Sequence, residues 1–348
     1  MKVIHILSSG TYSGAEKVAI EIIENTKSHL DVYYASPSGE IEIILKEQKI
    51  NYIKMKEFTL TEVKKIIKEN KPEIIHAHDF RATVYSSLGK QNNSLIAHIH
   101  NNNVWLKRIN LNSILYLYAT RKVDRIINVS DSIANEYIFS SFISKKSETV
   151  PNIIDNNQII EQSKLGTSND KYNLIFLGRL AIEKAPEKFI NIVKELSLIY
   201  PNIKACIVGK GPLEDKCKKM VAELNLNKNI DFIGYQKNPY PFIKNSEILV
   251  VPSEWEGFGL AAIEGLSLGK PVVAANVGGL PEIISEEVGE VCNNTKEFID
   301  SIKKLLNNPI LYQQKSENAL ILSKKFTDKK NYRNRILSIY ESVNKSNL

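Results

Sequence analysis

Short apolar runs alternate along this chain with stretches of helical period, and glycine or polar turns separate them. Apolar runs at residues 3–7, 32–35, 52–54, 74–77, 95–98 and 126–129 have strand length and composition, and helical patterns such as 16–27, 61–70 and 132–137 lie between them. The same alternation resumes with runs at 172–177, 203–208, 230–233, 248–251 and 272–275, with helical patterns after Pro186 and over 213–224. Strands that alternate with helices at this spacing predict parallel sheets, because a parallel pair needs a crossover connection. The α/β alternation occurs twice. A polar stretch, S-K-L-G-T-S-N-D-K, lies near the midpoint and is the best boundary between the two halves. The pattern therefore predicts one α/β domain over residues 1–165, a second over 166–330, and a C-terminal helix over 331–348 that returns to the first.

Residues 250–281 carry the densest chemistry: V-V-P-S-E-W-E-G-F-G-L-A-A-I-E-G-L-S-L-G-K-P-V-V-A-A-N-V-G-G-L-P. They read as the end of a strand, a Gly-containing turn, a helix, a second strand, and a Gly-Gly turn into another helix. Helix starts offer free N–H groups and a positive dipole end, which suit anionic oxygens. Two carboxylates, Glu256 and Glu264, frame this region, one before the turn and one about two turns into the expected helix. A carboxylate repels phosphate but accepts hydrogen bonds from vicinal hydroxyls, so the pair points to a sugar or a ribose. An acid capping the helix is the plain alternative.

Arg179 and Lys184 bracket the turn after the strand at 172–177. A guanidinium fork beside an ammonium point charge matches a diphosphate, and a surface ion pair is the alternative. No D-x-D stands at a strand end, so such a site would neutralise phosphate with cations and helix starts rather than through a divalent metal. In the first half, S-S-G-T-Y-S-G-A-E-K connects the first strand to the first helix. Its Gly14 either satisfies a turn or shapes a ligand loop.

Four histidines close two strands, His76 and His78 in H-A-H-D-F, and His98 and His100 in H-I-H-N-N-N. His100, the last before the asparagine run, is the best placed to meet a ligand, whereas His76 and His98 read as satisfied within the sheet. No third histidine or carboxylate stands at metal-ligand spacing, so no metal is expected there. Residues 104–125 mix Trp105, Leu106, Ile109 and Leu111 with Lys107, Arg108, Arg121, Lys122 and Arg125. That suits a helix lying on a membrane surface, or an amphipathic helix with a basic rim.

Composition narrows the field without naming a function. The 348 residues carry a net charge of +7 and three cysteines, Cys206, Cys217 and Cys292, at no metal-ligand spacing. Sparse, odd cysteines suit a reducing cytoplasm. No apolar run approaches the roughly 20 residues that span a bilayer, and the N-terminal run lacks a signal-peptide cleavage site. No helix-turn-helix, zinc-finger or RNP-like pattern supports a nucleic-acid partner.

The ordered set G-R-L-A-I-E-K-A, V-G-K-G-P-L, P-S-E-W-E-G-F-G-L-A-A-I-E-G-L-S-L-G-K-P-V-V-A and V-G-G-L-P-E-I-I resembles the retaining glycosyltransferases of family 4. In the first half, Y-S-G-A-E-K, H-I-H-N, V-S-D-S-I and P-N-I-I-D resemble that family's acceptor domain. The resemblance implies the GT-B fold, two Rossmann-like doubly wound α/β domains facing across a cleft. It implies that Arg179 and Lys184 hold the donor diphosphate, that Glu264 accepts the ribose hydroxyls, and that Glu256 contacts the transferred sugar. Backbone N–H groups of Gly257, Phe258, Gly259 and Leu260 would meet sugar and phosphate oxygens, with Gly211 and Gly234 completing the donor side. His100 matches a histidine near the donor sugar, and Ser13 and Gly14 match the acceptor-side loop. Three positions depart from the family pattern: Ser13 and Ala185 stand where glycine is usual, and Ile154 stands in N-I-I-D where N-G-I-D is common.

The implied reaction is retaining, metal-independent transfer from a nucleotide sugar, of UDP type, in which the leaving diphosphate takes the acceptor proton. No cofactor is implied. The acceptor would be lipid-linked or an oligosaccharide, in capsule or exopolysaccharide synthesis, at the inner face of the cell membrane. Two rivals share the donor site: a GT-B-fold sugar-nucleotide epimerase, and a non-catalytic nucleotide-sugar-binding partner subunit.

Overall fold

A computed structural model of the chain describes residues 1–166 and 170–344. Among these the chain forms two compact units, residues 1–152 with 328–344, and the described residues of 153–327. The boundary thus falls before the expected one at 165. The helix Asn156–Ser163 belongs to the second unit, and Ile154 N–H donates to Phe326 O within that unit. The midpoint stretch is polar because the helix ends there, and its residues 167–169 lie outside the described residues, as does the tail at 345–348.

The first unit holds β1 (Lys2–Ile6), β2 (Asp31–Pro37), β3 (Asn51–Met55), β4 (Ile74–Ala77), β5 (Ser94–Ile99), β6 (Arg125–Asn128) and β7 (Ser147–Thr149). They form one sheet in the order β3-β2-β1-β4-β5-β6-β7, with every pairing parallel. Ile4, Ile6, Ile75, Ala77, Leu95 and Ala97 put one face of its central strands into a core with Val63, Ile67 and Tyr116. The final helix, Lys329–Asn344, belongs to this unit and buries Tyr332, Ile336, Ile339, Tyr340 and Val343. Lys329 lies 3.8 Å from Glu21, and Arg335 pairs with Glu148.

The second unit holds β8 (Tyr172–Leu177), β9 (Ala205–Val208), β10 (Ile230–Gly234), β11 (Ser246–Val251), β12 (Val272–Ala275) and β13 (Gly289–Cys292). Its sheet is again parallel, in the order β10-β9-β8-β11-β12-β13. Leu174, Phe176, Phe189, Ile207, Ile248, Val250 and Val273 are in its core. Both sheets reverse their winding between the first and fourth strands of the unit. In such sheets ligands bind at that switch, beyond the carboxyl ends of the strands.

The strands absent from the sequence pattern are β7 and β13, read only as S-E-T and G-E-V-C. Both are sheet edges, where short and charged strands are favoured because they resist pairing with another chain. The basic-aromatic segment also differs from expectation. It divides into a 3₁₀ turn, Val104–Lys107, and a helix, Leu111–Thr120, and Arg125 already opens β6. Asn110 makes the break: its side-chain oxygen accepts from Ser113 N–H at 3.0 Å, and its amide donates to Trp105 O at 2.7 Å.

Ala185 heads the helix Pro186–Ser197 with φ +50°, in the left-handed region that a Cβ disfavours. This explains why glycine suits the position. Ala185→Gly is expected to stabilise the fold by about 0.5–1 kcal/mol, strain relief outweighing glycine's extra chain entropy. Urea unfolding with an unchanged slope and a higher midpoint would show it; a lower midpoint would show that the alanine methyl packs too well to lose.

Candidate donor site at the switch of the second sheet

The switch point of the second unit joins two loops, the one after β8 (residues 178–185) and the one after β11 (residues 252–259). Glu254 N–H donates to Glu183 O at 3.0 Å, which ties one backbone to the other. The Lys184 ammonium donates to Glu256 Oε2 at 2.5 Å, and Ser253 Oγ donates to the same oxygen at 3.3 Å. Lys184 and Glu256 are seventy-two residues apart in sequence. Parallel pairing of β8 with β11 brings them together. The contact is largely shielded, with Glu256 only 13% exposed, so it is worth more than a surface ion pair. An ammonium has three N–H donors, so the carboxylate does not exhaust it.

Arg179 follows β8 directly; its guanidinium lies 3.8 Å from Glu183 and is well exposed. The structure therefore sets Arg179 and Lys184 on one loop, as the spacing suggested, but Arg179 pairs within that loop and it is Lys184 that reaches Glu256 on the other. Gly211, after β9, packs against the backbone of Leu180 so closely that a Cβ would meet the Leu180 oxygen at 2.3 Å. Gly234 ends β10 with φ +75°, and its carbonyl accepts from Gly209 N–H at 2.9 Å. The expected donor-side glycines thus lie along the same carboxyl edge of the sheet.

The helix Leu260–Ser267 starts later than the sequence pattern suggests, so Glu264 lies about one turn into it rather than two. Gly259, at φ +101°, holds the turn open and delays the start. Phe258 does not face outward: it is buried and meets Phe326 edge-on, with centroids 5.9 Å apart. That anchors the Gly257–Leu260 backbone at the head of the helix. Glu264 is a buried carboxylate, 7% exposed, and accepts from the Tyr240 hydroxyl at 3.4 Å.

Two contributors escaped the sequence reading. Tyr240, within N-P-Y-P-F, gave no signal because its partner is a helix distant in the chain. Gly278 gave one in its Gly-Gly pair: its φ is +56°, and a Cβ there would stand 1.6 Å from the Glu256 carbonyl oxygen. The loop after β12 is therefore pressed on the backbone of the loop that carries Glu256.

The first unit has its own switch, between β1 and β4. Ser13 and Gly14 begin the helix Gly14–Thr26; Ser13 donates through its N–H and Oγ to Glu16 Oε2, at 3.1 and 2.5 Å. Ser13 thus serves as a helix cap. Asp79, unweighed from sequence, accepts from Ser8 N–H at 2.7 Å and from Ala82 N–H at 2.8 Å, so one carboxylate links the ends of β1 and β4. Burial raises its pKa.

His76 and His98 are buried within the sheet, and His100 follows β5, its Nε2 2.9 Å from His78 Nδ1. One expectation fails here. A third histidine does join His76 and His78, namely His5, whose register opposite His76 comes from the pairing of β1 with β4. Ring nitrogens of His5, His76 and His78, and of His78, His98 and His100, lie within 4.8 Å of one another. Sequence spacing could not show this, because three separate strands supply the rings.

Two family descriptions divide the chain between them: "Glycosyltransferase Family 4" matches residues 12–158, and "Glycosyl transferases group 1" matches residues 157–321. The chain belongs to the family 4 glycosyltransferases. An uncharacterized glycosyltransferase of Methanocaldococcus jannaschii is 31% identical over 230 residues, 61% of this chain and 55% of that relative. The lipopolysaccharide core biosynthesis mannosyltransferase of Rhizobium meliloti is 30% identical over 177 residues, 48% of this chain and 50% of that one. The chain thus spans about half the length of the curated relatives it matches. Among solved structures, Anabaena HepE in complex with UDP-glucose superposes with a TM-score of 0.86 at 19% identity, covering 98% of this chain and all of the other. The fold is of the GT-B type.

Gly278→Ala is expected to destabilise the second unit by about 3 kcal/mol, since left-handed strain adds to an overlap with backbone that cannot rotate away. Chemical denaturation of this family 4 chain and the variant would measure it. A loss under about 0.5 kcal/mol would mean that the loop moves freely away from Glu256.

Proposed function

We propose that the protein transfers a sugar from a nucleotide sugar to a carbohydrate or lipid-linked acceptor. The observation that carries this reading is the Lys184–Glu256 contact at 2.5 Å, formed where the loops after β8 and β11 meet. A cation and a carboxylate held together at a sheet switch provide for both parts of such a donor. Lys184 and Arg179 meet the diphosphate, and Glu256 accepts from hydroxyls of the sugar. Glu264, already accepting a hydroxyl hydrogen bond from Tyr240, is suited to accept from ribose.

In this reading the backbone N–H groups of Gly257 to Leu260, at a helix start, stabilise the charge that develops on the departing diphosphate. The two cations take the place that a carboxylate-held metal fills elsewhere, so transfer is metal-independent and needs no cofactor. The reaction retains anomeric configuration: the acceptor hydroxyl attacks from the face that the diphosphate leaves, the C–O bond to phosphate breaks, and the leaving oxygen takes the acceptor proton. His100 contacts the donor sugar, and the loop at Ser13 and Gly14 lies on the acceptor side.

UDP is the favoured carrier, supported by HepE, whose solved complex holds UDP-glucose. A cell-surface polysaccharide acceptor, of capsule or exopolysaccharide type, is supported by the lipopolysaccharide role named for the Rhizobium relative. Work at the inner face of the membrane is supported by Ile109, Leu111 and Tyr118, which are 71%, 71% and 55% exposed beside Lys107, Arg108, Arg121 and Lys122. No helix among the described residues is long and apolar enough to cross a membrane.

Thermal shift against UDP-, GDP- and ADP-sugars tests the donor. Saturation at 100 times Kd should add about 2.7 kcal/mol to apparent stability, for the UDP-sugar set alone. Arg179→Ala/Lys184→Ala should abolish that shift and lower transfer at least about 100-fold with the fold intact, and Glu256→Gln should likewise abolish transfer. Full activity in the double variant would overturn the diphosphate assignment. Isomerised nucleotide sugar without an acceptor would indicate an epimerase, and binding without turnover on any acceptor would indicate a non-catalytic partner.

Partition into anionic liposomes should fall when Lys107, Arg108, Arg121, Lys122 and Arg125 are neutralised together, by up to about 1 kcal/mol per charge near the surface. Unchanged partition would remove the membrane role.

A further inference from the structure

Five of the six histidines lie together on the first sheet, and their hydrogen bonds form a single line. His98 Nδ1 lies 3.2 Å from His76 Nε2, and His76 Nδ1 lies 2.8 Å from the Tyr340 hydroxyl. That hydroxyl is 3.5 Å from His5 Nε2, the longest link. His5 Nδ1 is 2.8 Å from His78 Nε2, and His78 Nδ1 is 2.9 Å from His100 Nε2. Both outer nitrogens, His98 Nε2 and His100 Nδ1, are buried without a hydrogen-bond partner. Every inner nitrogen is used once.

The protons can be counted. Burial holds all five imidazoles neutral, with His5 and His100 lowered to about 3 and the other three well below their usual value. A neutral imidazole carries one N–H and one bare nitrogen, and a phenol carries one O–H. With the Tyr340 O–H donating within the line, six protons serve the five contacts, and the one left over sits on one of the two ends. Two arrangements then satisfy every contact. In one, all five rings are Nε2–H tautomers, Tyr340 donates to His76, and His100 Nδ1 is bare. In the other, all five are Nδ1–H, Tyr340 donates to His5, and His100 Nδ1 carries the proton.

We propose that His98, His76, Tyr340, His5, His78 and His100 form one hydrogen-bonded line of common tautomer that sets whether His100 Nδ1 donates or accepts, with Tyr340 as the positioning residue that joins its two halves. Turning any one ring to the other tautomer leaves one contact without a proton and another with two, so the rings hold one tautomer together. In either arrangement every ring of the buried cluster is neutral, so His100 takes its hydrogen-bonding role without the burial cost of an imidazolium. The final helix thereby has a part in the chemistry of the first unit, since it supplies the phenol. The value of this to a sugar substrate rests on the assignment of His100 to the donor sugar; the common tautomer itself does not.

The test is long-range ¹H–¹⁵N correlation on full-length protein carrying ¹⁵N-labelled histidine, which identifies each ring's tautomer. The expected result is five neutral rings of one tautomer, all Nε2–H or all Nδ1–H. In Tyr340→Phe the line is cut, and the His100 nitrogen shifts should move although Tyr340 touches only His76 and His5 within the line. A mixture of tautomers among the five wild-type rings, an imidazolium at neutral pH, or stoichiometric zinc by elemental analysis would each overturn the proposal. So would a folded Tyr340→Phe protein whose His76 and His5 shifts move while those of His100 stay. If that variant does not fold, the wild-type tautomer pattern decides alone. None of these readings depends on sugar transfer, so failure of the donor-binding test leaves the common tautomer of the line standing.

Discussion

Parallel strand pairing is the constraint from which the rest of this structure follows. A parallel strand cannot turn straight back on its neighbour, so each connection crosses the sheet as a helix and every chain exit from a strand falls on one edge. In both units the winding then reverses between the first and fourth strands. Two loops are left side by side there with no helix packed between them. In the second unit these loops carry Lys184 and Glu256, and the same pairing that buries Leu174, Ile248 and Val250 sets the ammonium on the carboxylate. Core packing and site geometry have one cause.

Glycines and buried aromatics keep those loops in place. Gly278 lets the loop after β12 lie on the Glu256 carbonyl, and Phe258 turns inward onto Phe326, so the Gly257–Leu260 backbone has little room to shift. Charged groups that meet a ligand need this support, because a few tenths of an ångström decide whether a preorganised donor faces developing charge. In the first unit the equivalent support is polar. Asp79 joins the ends of β1 and β4, and the histidines of the same sheet pair with one another and with Tyr340 through all their ring nitrogens but two. Buried polar groups at such density are tolerated only when nearly all are paired, and a satisfied network also fixes a single arrangement.

Much of this was legible in the residues. The strands at 74–77, 172–177 and 272–275 have the bounds expected from their apolar runs, because central strands buried on both faces are continuous in hydrophobicity. The edge strands β7 and β13 were not legible, since an edge is selected for being short and charged rather than apolar. The segment at 104–125 looked like one helix because its composition is amphipathic throughout, but Asn110 divides it through bonds that hydrophobic periodicity does not register.

The sequence by itself determined the α/β alternation, the two carboxylates Glu256 and Glu264 at a helix start, and the cations Arg179 and Lys184 after one strand. These depend on neighbours a few residues apart, where spacing dictates geometry. The tertiary structure decided which of those groups meet. It placed Lys184 rather than Arg179 on Glu256, set Tyr240 against Glu264, and brought Tyr340 to His76 from 264 residues away. It also added His5 to the other four histidines. The physical reason is that strand order and register bring remote residues together, and both are settled by burial across the whole sheet rather than by any local stretch of chain.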